Sequence, residues 1–240
     1  GVTLTIANGI GTDLSVFGIF QSAGTVTINA SATVAFNSGG TYQHGQNGGT
    51  IPTASWNAAS TCLVTGTVAT LPGGLNQIFG HFTWKCSSQT VDSNPGSTLT
   101  INGNLTIQNT GGSGRFRFAA GTSTVAGGYI QSGGFVRLSG TSDRTLTVSG
   151  SFTMSGGTLE MSTGAGIGTL NVAGNFSHTG GTIQESGTAS GAIVFNGGGT
   201  QTYTSGGTVS NTINFTVNNG STLHMASGST AITGGGTFTL

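Results

Sequence analysis

The chain has 240 residues, only 4% of them charged, and its net charge is zero. Five Lys and Arg in total cannot build a phosphate-binding stripe, so nucleic acid is excluded as a partner. No run of about twenty apolar residues is present, so membrane insertion by a helix is excluded too. The 46 glycines suggest a flexible chain, but Val, Ile, Leu and Phe recur at regular positions, which a disordered segment does not need.

In chain order, the first element is the alternating run "VTLTI" from Val2 to Ile6, which predicts a strand. The stretch "FNSGGTYQH", Phe36 to His44, is the first appearance of a strand–Gly-Gly–strand pattern. Residues 41–97 then break the period. They hold all three prolines (Pro52, Pro72, Pro95), both tryptophans and both cysteines. Coils with long loops at their corners, near 45–59 and 67–76, are expected there. Tyr42, His44 and Trp56 are the candidate glycan contacts, with Gln46 and Asn47 as neighbouring amides, because loops on a rigid scaffold commonly carry binding. The bland alternative is that Trp56 plugs the side of the fold. Cys62 and Cys86 admit either a disulfide in an exported protein or two buried thiols.

From about residue 98 the repeat is explicit. "TLTVSGSFTMSGGTLEM" (145–161) is followed by "TLNVAGNFSHTGGTIQ" (169–184). Leu146 maps to Leu170, Val148 to Val172, Phe152 to Phe176 and Leu159 to Ile183, by the same step of two dozen positions each time. Gly103, Gly127 and Gly150 continue the series backward. Alternation with period two means strands. Single glycines or Gly-Gly pairs between strands leave no room for a crossover helix but enough for a corner. A longer repeat is superposed on this one. Gln201 follows Gln77 by the same interval at which "GSTLHM" at Gly220 follows "GSTLTI" at Gly96, the length of five coils. The last run is "GTFTL", Gly236 to Leu240.

The fold expected from this is all-β: a single right-handed parallel β-helix, or β-solenoid, over residues 1–240. Each three-strand coil takes about 23–24 residues, and roughly ten coils stack with ladders about 4.8 Å apart. Uncapped repeats at both ends read as an excerpt of a longer repetitive chain or a subunit that associates end to end or side by side.

A resemblance enters on "GGTYQHGQNGGTIPTASWNAASTCLVTG" and "GGLNQIFGHFTWKC". These stretches resemble the Gly/Thr-rich β-strand-repeat surface proteins of Bacteroidota, secreted β-helical adhesins and surface fibres. The resemblance implies an extracellular, cell-surface location and no cofactor, and it supplies no catalytic residues.

Chemistry is sparse in the sequence. The carboxylates are Asp13, Asp92, Asp143, Glu160 and Glu185. The repeat register stacks Arg117, Arg137, Glu160 and Gln184 as an outward ladder, with Arg137–Glu160 an exposed ion pair worth about 0–1 kcal/mol. His178 and Glu185 take the inward places of Met154 and Met161, where either is costly unless paired. Their pairing as a hidden acid/base couple is one reading, and outward-bent strand ends another. No Cys/His spacing resembles a zinc site, and no metal or cofactor is expected. The function expected is a structural or adhesive solenoid module without catalysis. The alternative is a carbohydrate-binding or degenerate polysaccharide-degrading β-helix using the 41–59 region. An ice-binding face, from Thr98/Thr100 and Thr145/Thr147, is a third reading. It is set back by Ser123 (or Thr122) and Asn171 at aligned positions.

Overall fold

In the computed structural model, residues 3–94, 98–118, 121–228 and 232–240 are described. The expected first strand position Val2, together with Pro95 and the Gly96 of the long repeat, lies outside them. The chain is a β-solenoid of about ten turns, all parallel and without a helix among the described residues.

Strands fall on three faces. The first face begins with Ile19–Ser22, Thr41–His44, Thr61–Val64, His81–Lys85 and Leu105–Asn109, and ends at Thr222–Met225. The second face runs from Asp92–Ser93 through Arg115–Arg117 and Phe135–Arg137 to Thr208–Ser210. The third is an 8-stranded sheet from Ile78–Phe79 to Phe238–Thr239. The expected register is found: Leu146 pairs with Leu170, Val148 with Val172, Phe152 with Phe176 and Leu159 with Ile183.

Two features differ from expectation. In the best-matched coils, the first-face and second-face strands are one bent strand each, Phe152–Glu160 and Phe176–Gln184, with the register shifting at the glycines. Residues 41–97 are also not coils swollen by loops. Tyr42, Cys62 and Phe82 stack in succession, so these coils are shorter than the one that joins Phe152 to Phe176. What is missing there, up to Asp92–Ser93, is the second-face strand. The segment that follows Thr41–His44 is joined to the one that follows Thr61–Val64 by an isolated bridge from Thr50 to Gly73. The opposite departure occurs where Phe176 meets its partner Tyr203, a longer step than those before it.

Inward alternate residues form a continuous column. Leu146, Leu170, Val148, Val172, Phe152 and Phe176 are all buried, each contributing on the order of 1.5–3 kcal/mol. Register also stacks rings. Tyr129, Phe152, Phe176 and Tyr203 lie with centroids 5.0, 4.6 and 5.3 Å apart and planes within 12° of parallel. Such pairs add about 0.5–1.5 kcal/mol beyond area burial.

Corners are set by close backbone approach. The N–H of Gly150 donates to Gly127 O and that of Gly174 to Gly150 O, both at 2.9 Å. A Cβ on Gly150 would lie 2.6 Å from Gly127 O. Gly157 adds a second demand: its φ is +80°, and a Cβ there would meet Gly134 O at 2.4 Å. Gly157→Ala is expected to cost about 2–4 kcal/mol, from left-handed strain plus overlap. At Gly112 nothing lies within 4 Å of the place a Cβ would take, so Gly112→Ala is expected to stay within about 0.5 kcal/mol. Urea midpoints of the two variants check this, and equal shifts would contradict the tight stacking.

Candidate functional site

Tyr42 and His44 are corrections to the expected glycan contacts: both are fully buried in the core. Alternation explains it, since the strand Thr41–His44 turns its second and fourth side chains inward. His44 Nε2–H donates to Gly48 O at 2.7 Å, so its Nδ1 accepts from the Tyr42 hydroxyl at 3.2 Å. Burial pushes the Tyr42 hydroxyl up to about 12 and His44 below its ordinary value. Trp56 is half-buried and stacks on Phe36 at 4.3 Å, with Phe79 on its other side. Its indole N–H donates to Gln77 Oε1 at 3.1 Å. It plugs the wall. Asn47 is likewise engaged, its side-chain oxygen accepting the backbone N–H groups of Val68, Ala69 and Thr70.

Four glutamines that carry no signal of a site in the sequence share one task. Gln77, Gln89, Gln131 and Gln201 each tie backbone groups of a turn to a neighbouring coil. Gln77 accepts from Ala54 N and donates to Pro52 O and Gly74 O. Gln131 accepts from Tyr129 OH at 2.7 Å and donates to Thr158 O at 3.0 Å. Gln89 accepts from Trp84 Nε1 at 2.7 Å and donates to Val91 O and Arg115 O. Gln201 accepts from Gly197 N and donates to Val172 O and Gly174 O. The long-interval match of Gln77 with Gln201 is the one hint of this role in the sequence.

Cys62 and Cys86 are free and buried, so the disulfide alternative falls. Cys62 pairs with Phe82, and Cys86 lies four residues further along, roughly 13 Å at strand rise, beyond the reach of a bridge. Burial raises both thiols above their ordinary value.

The outward ladder is present in the expected register: Arg117 on Arg137, Arg137 on Glu160 and Glu160 on Gln184. It is not the exposed pair expected. Glu160 is only 4% exposed, because Arg137 Nε donates to it at 2.7 Å and Gln184 and Ser186 cover its other oxygen. The ladder also extends further than expected. Asp92 pairs with Arg115 across the face, and its carboxylate lies 3.4 Å from Arg115, 3.6 Å from Arg117 and 3.9 Å from Arg137. The step from Asp92 to Arg115 matches the repeat and was the available signal.

His178 and Glu185 both point inward and are buried, yet no hydrogen bond joins them. Each serves its own corner: His178 Nε2–H donates to Gly181 O at 3.3 Å, and Glu185 Oε1 accepts from Gly187 N at 2.7 Å. His178 Nδ1 and Glu185 Oε2 are buried without a hydrogen-bond partner. The acid/base couple is therefore absent.

On the third face the register aligns Thr100, Thr124, Thr147, Asn171, Val194, Thr216 and Thr239. Thr122 and Thr124, not Ser123, occupy the outward places, while Asn171, Ala192 and Val194 interrupt the rows. Among the described residues, no group of three or more His, Cys, Asp or Glu is placed to hold a metal ion. Among the same residues, no helix is long and apolar enough to cross a membrane. No family model matches the chain, and no curated protein and no solved structure is significantly similar to it.

Burial holds His178 below its ordinary 6.5. The unfolded chain therefore binds a proton more readily near that value, and stability present above about pH 6.5 is lost as pH falls. Glu185 is shifted the other way, upward by burial, so its contribution is present at low pH and lost as pH rises. Met154 fills the place of His178 one coil earlier. His178→Met is expected to stabilise the fold by about 1 kcal/mol at neutral pH, by removing an unsatisfied polar atom, and by more at pH 5. Thermal midpoints at the two pH values check this. A gain that shrinks at pH 5 would contradict it.

Proposed function

We propose that the chain is a structural and adhesive β-solenoid module of an extracellular bacterial surface protein or fibre, built for stacking and display rather than catalysis. The observation that carries this reading is the open parallel ladder. Ile19–Ser22 pairs only with Thr41–His44, and Thr222–Met225 only with Thr200–Ser205, among the described residues. The outer edge of each leaves backbone donors and acceptors free to receive a further rung, from the same polypeptide or from a second copy. Apolar side chains at these rungs support stacking: Ile19, Met225 and Phe238 are exposed. Low surface charge offers little repulsion between neighbouring rods.

A sugar-binding reading through the 41–59 segment loses Tyr42 and His44 to the core, and a degenerate polysaccharide-degrading site there loses the same two residues.

Negative-stain electron microscopy across a concentration series tests the module reading. End-to-end rods many times longer than a single copy, roughly 50 Å by rung spacing, are expected as concentration rises. Single short particles at every concentration would contradict it.

A further inference from the structure

Charge in this chain is gathered rather than spread. There are five basic and five acidic side chains, and five of these are joined by ion pairs at one side of the rod, Asp92, Arg115, Arg117, Arg137 and Glu160, with Arg144 near enough for the charge of Arg117 to act on it. Four of the five basic residues are therefore in one patch. Arg137 and Glu160 form a close, mostly covered pair. Arg115 and Arg117 approach Asp92 loosely, at 3.4 and 3.6 Å, and both side chains are about one-third exposed. Arg144 follows the same corner: Thr145 pairs with Thr122, placing Arg144 one rung from the segment that Arg117 leads into. Burial, and then the charge of Arg117, lower its basicity. Asp143 is next to Arg144 in sequence, but its carboxylate accepts from Ile167 N on the next coil. Even with Asp143 counted, positive charge is in excess here.

The guanidiniums are also held in place. Arg115 lies over the Phe135 ring at 4.8 Å, and its Nε is buried without a hydrogen-bond partner. Strand pairing fixes Arg117 against Arg137. Arg115 and Arg117 of one strand and Arg144 of the next coil thus present fork-shaped donors on neighbouring rungs, the geometry that carboxylate and sulfate groups accept.

We propose that this patch is the adhesive site of the solenoid, with Arg115, Arg117 and Arg144 receiving the acid groups of a polysaccharide, uronic carboxylates or sulfate esters. The inference rests on the adhesive reading above and names its partner. A polymer fits better than a free anion. Each exposed contact is weak, and linked acid groups along the rungs raise the effective concentration of the next. Duplex DNA does not fit: so few cations, interleaved with carboxylates, release few counterions.

The test uses the whole chain in affinity electrophoresis and calorimetry, with polygalacturonate, dextran sulfate, neutral dextran and duplex DNA as probes. Binding to polygalacturonate, dextran sulfate or both is expected at low salt, with the two polymers separating carboxylate from sulfate preference. None is expected for dextran. Binding is lost at about 1 M salt, where screening acts within about 3 Å. The double variant R117Q/R144Q weakens it by about tenfold, while K85Q, away from the patch, leaves it unchanged. Asp92→Asn tightens it by a few-fold, the opposite of what loss of a purely structural ion pair would do. Circular dichroism melting establishes that each variant is folded. If Asp92→Asn does not fold, R117Q/R144Q against K85Q decides. Absence of binding to both acidic polymers, equal losses in R117Q/R144Q and K85Q, or tighter binding to DNA would each overturn the inference. Stacked rods by microscopy with no polymer binding would overturn this assignment while leaving the module reading standing.

Discussion

Parallel, in-register hydrogen bonding between successive turns is the constraint from which the rest follows. Once Leu146 lies on Leu170, every residue of a coil is committed to a partner one turn away, at about 4.8 Å. Like residues then stack on like: rings on rings, glycines on glycines, guanidinium on guanidinium. The aromatic column from Tyr129 to Tyr203 keeps centroid spacings of 4.6–5.3 Å because the strands beneath it do. The corner glycines are a cost of the same arrangement. Backbones that close leave no room for a Cβ, so the sequence must supply glycine at corners such as Gly150 and Gly157.

Corners create a second problem, which the interior side chains resolve. Where a strand ends, backbone N–H and C=O groups lose their ladder partners inside a dry column, and leaving them unsatisfied is expensive. Gln89, Gln131 and Gln201 reach these groups from within. His44 does so with Gly48. These buried side chains are thus parts of the corners, and His44 and Gln77 account for much of the chemistry that looked suggestive along 41–59. Charge that could not be placed inside is collected outside on one face, around Asp92 and Glu160.

How much of this was legible in the sequence depends on the constancy of the step. Through the middle of the chain the step is 23 or 24, as between Arg137, Glu160 and Gln184, so alignment by eye places Leu159 on Ile183 and Arg137 on Glu160. Within 41–97 the coil shortens, and the segment between strands carries an isolated bridge, Thr50 to Gly73, in place of a strand. With the period disguised, Tyr42 and His44 beside the expected loop looked like glycan contacts, although Tyr42 belongs to the same inward column as Cys62 and Phe82. Direction was easier to read than burial. Glu160 does point outward, but Gln184 and Ser186 from the next turn lie over it, and nothing in its own strand announces that. His178 and Glu185 were legible as inward positions. Their separate partners, Gly181 and Gly187, could not be read from residue spacing because corner geometry decides which carbonyl or N–H each can reach.

The most direct measurement is a spin-label distance between Thr124 and Thr216, two outward positions far apart along the chain. The strand pairings join them through Thr147, Asn171 and Val194, four rungs in all. A narrow distribution centred at about 19 Å, four times the strand spacing, is the predicted result. A broad distribution centred well beyond that distance would mean that these segments do not stack in parallel register, and the account would fail.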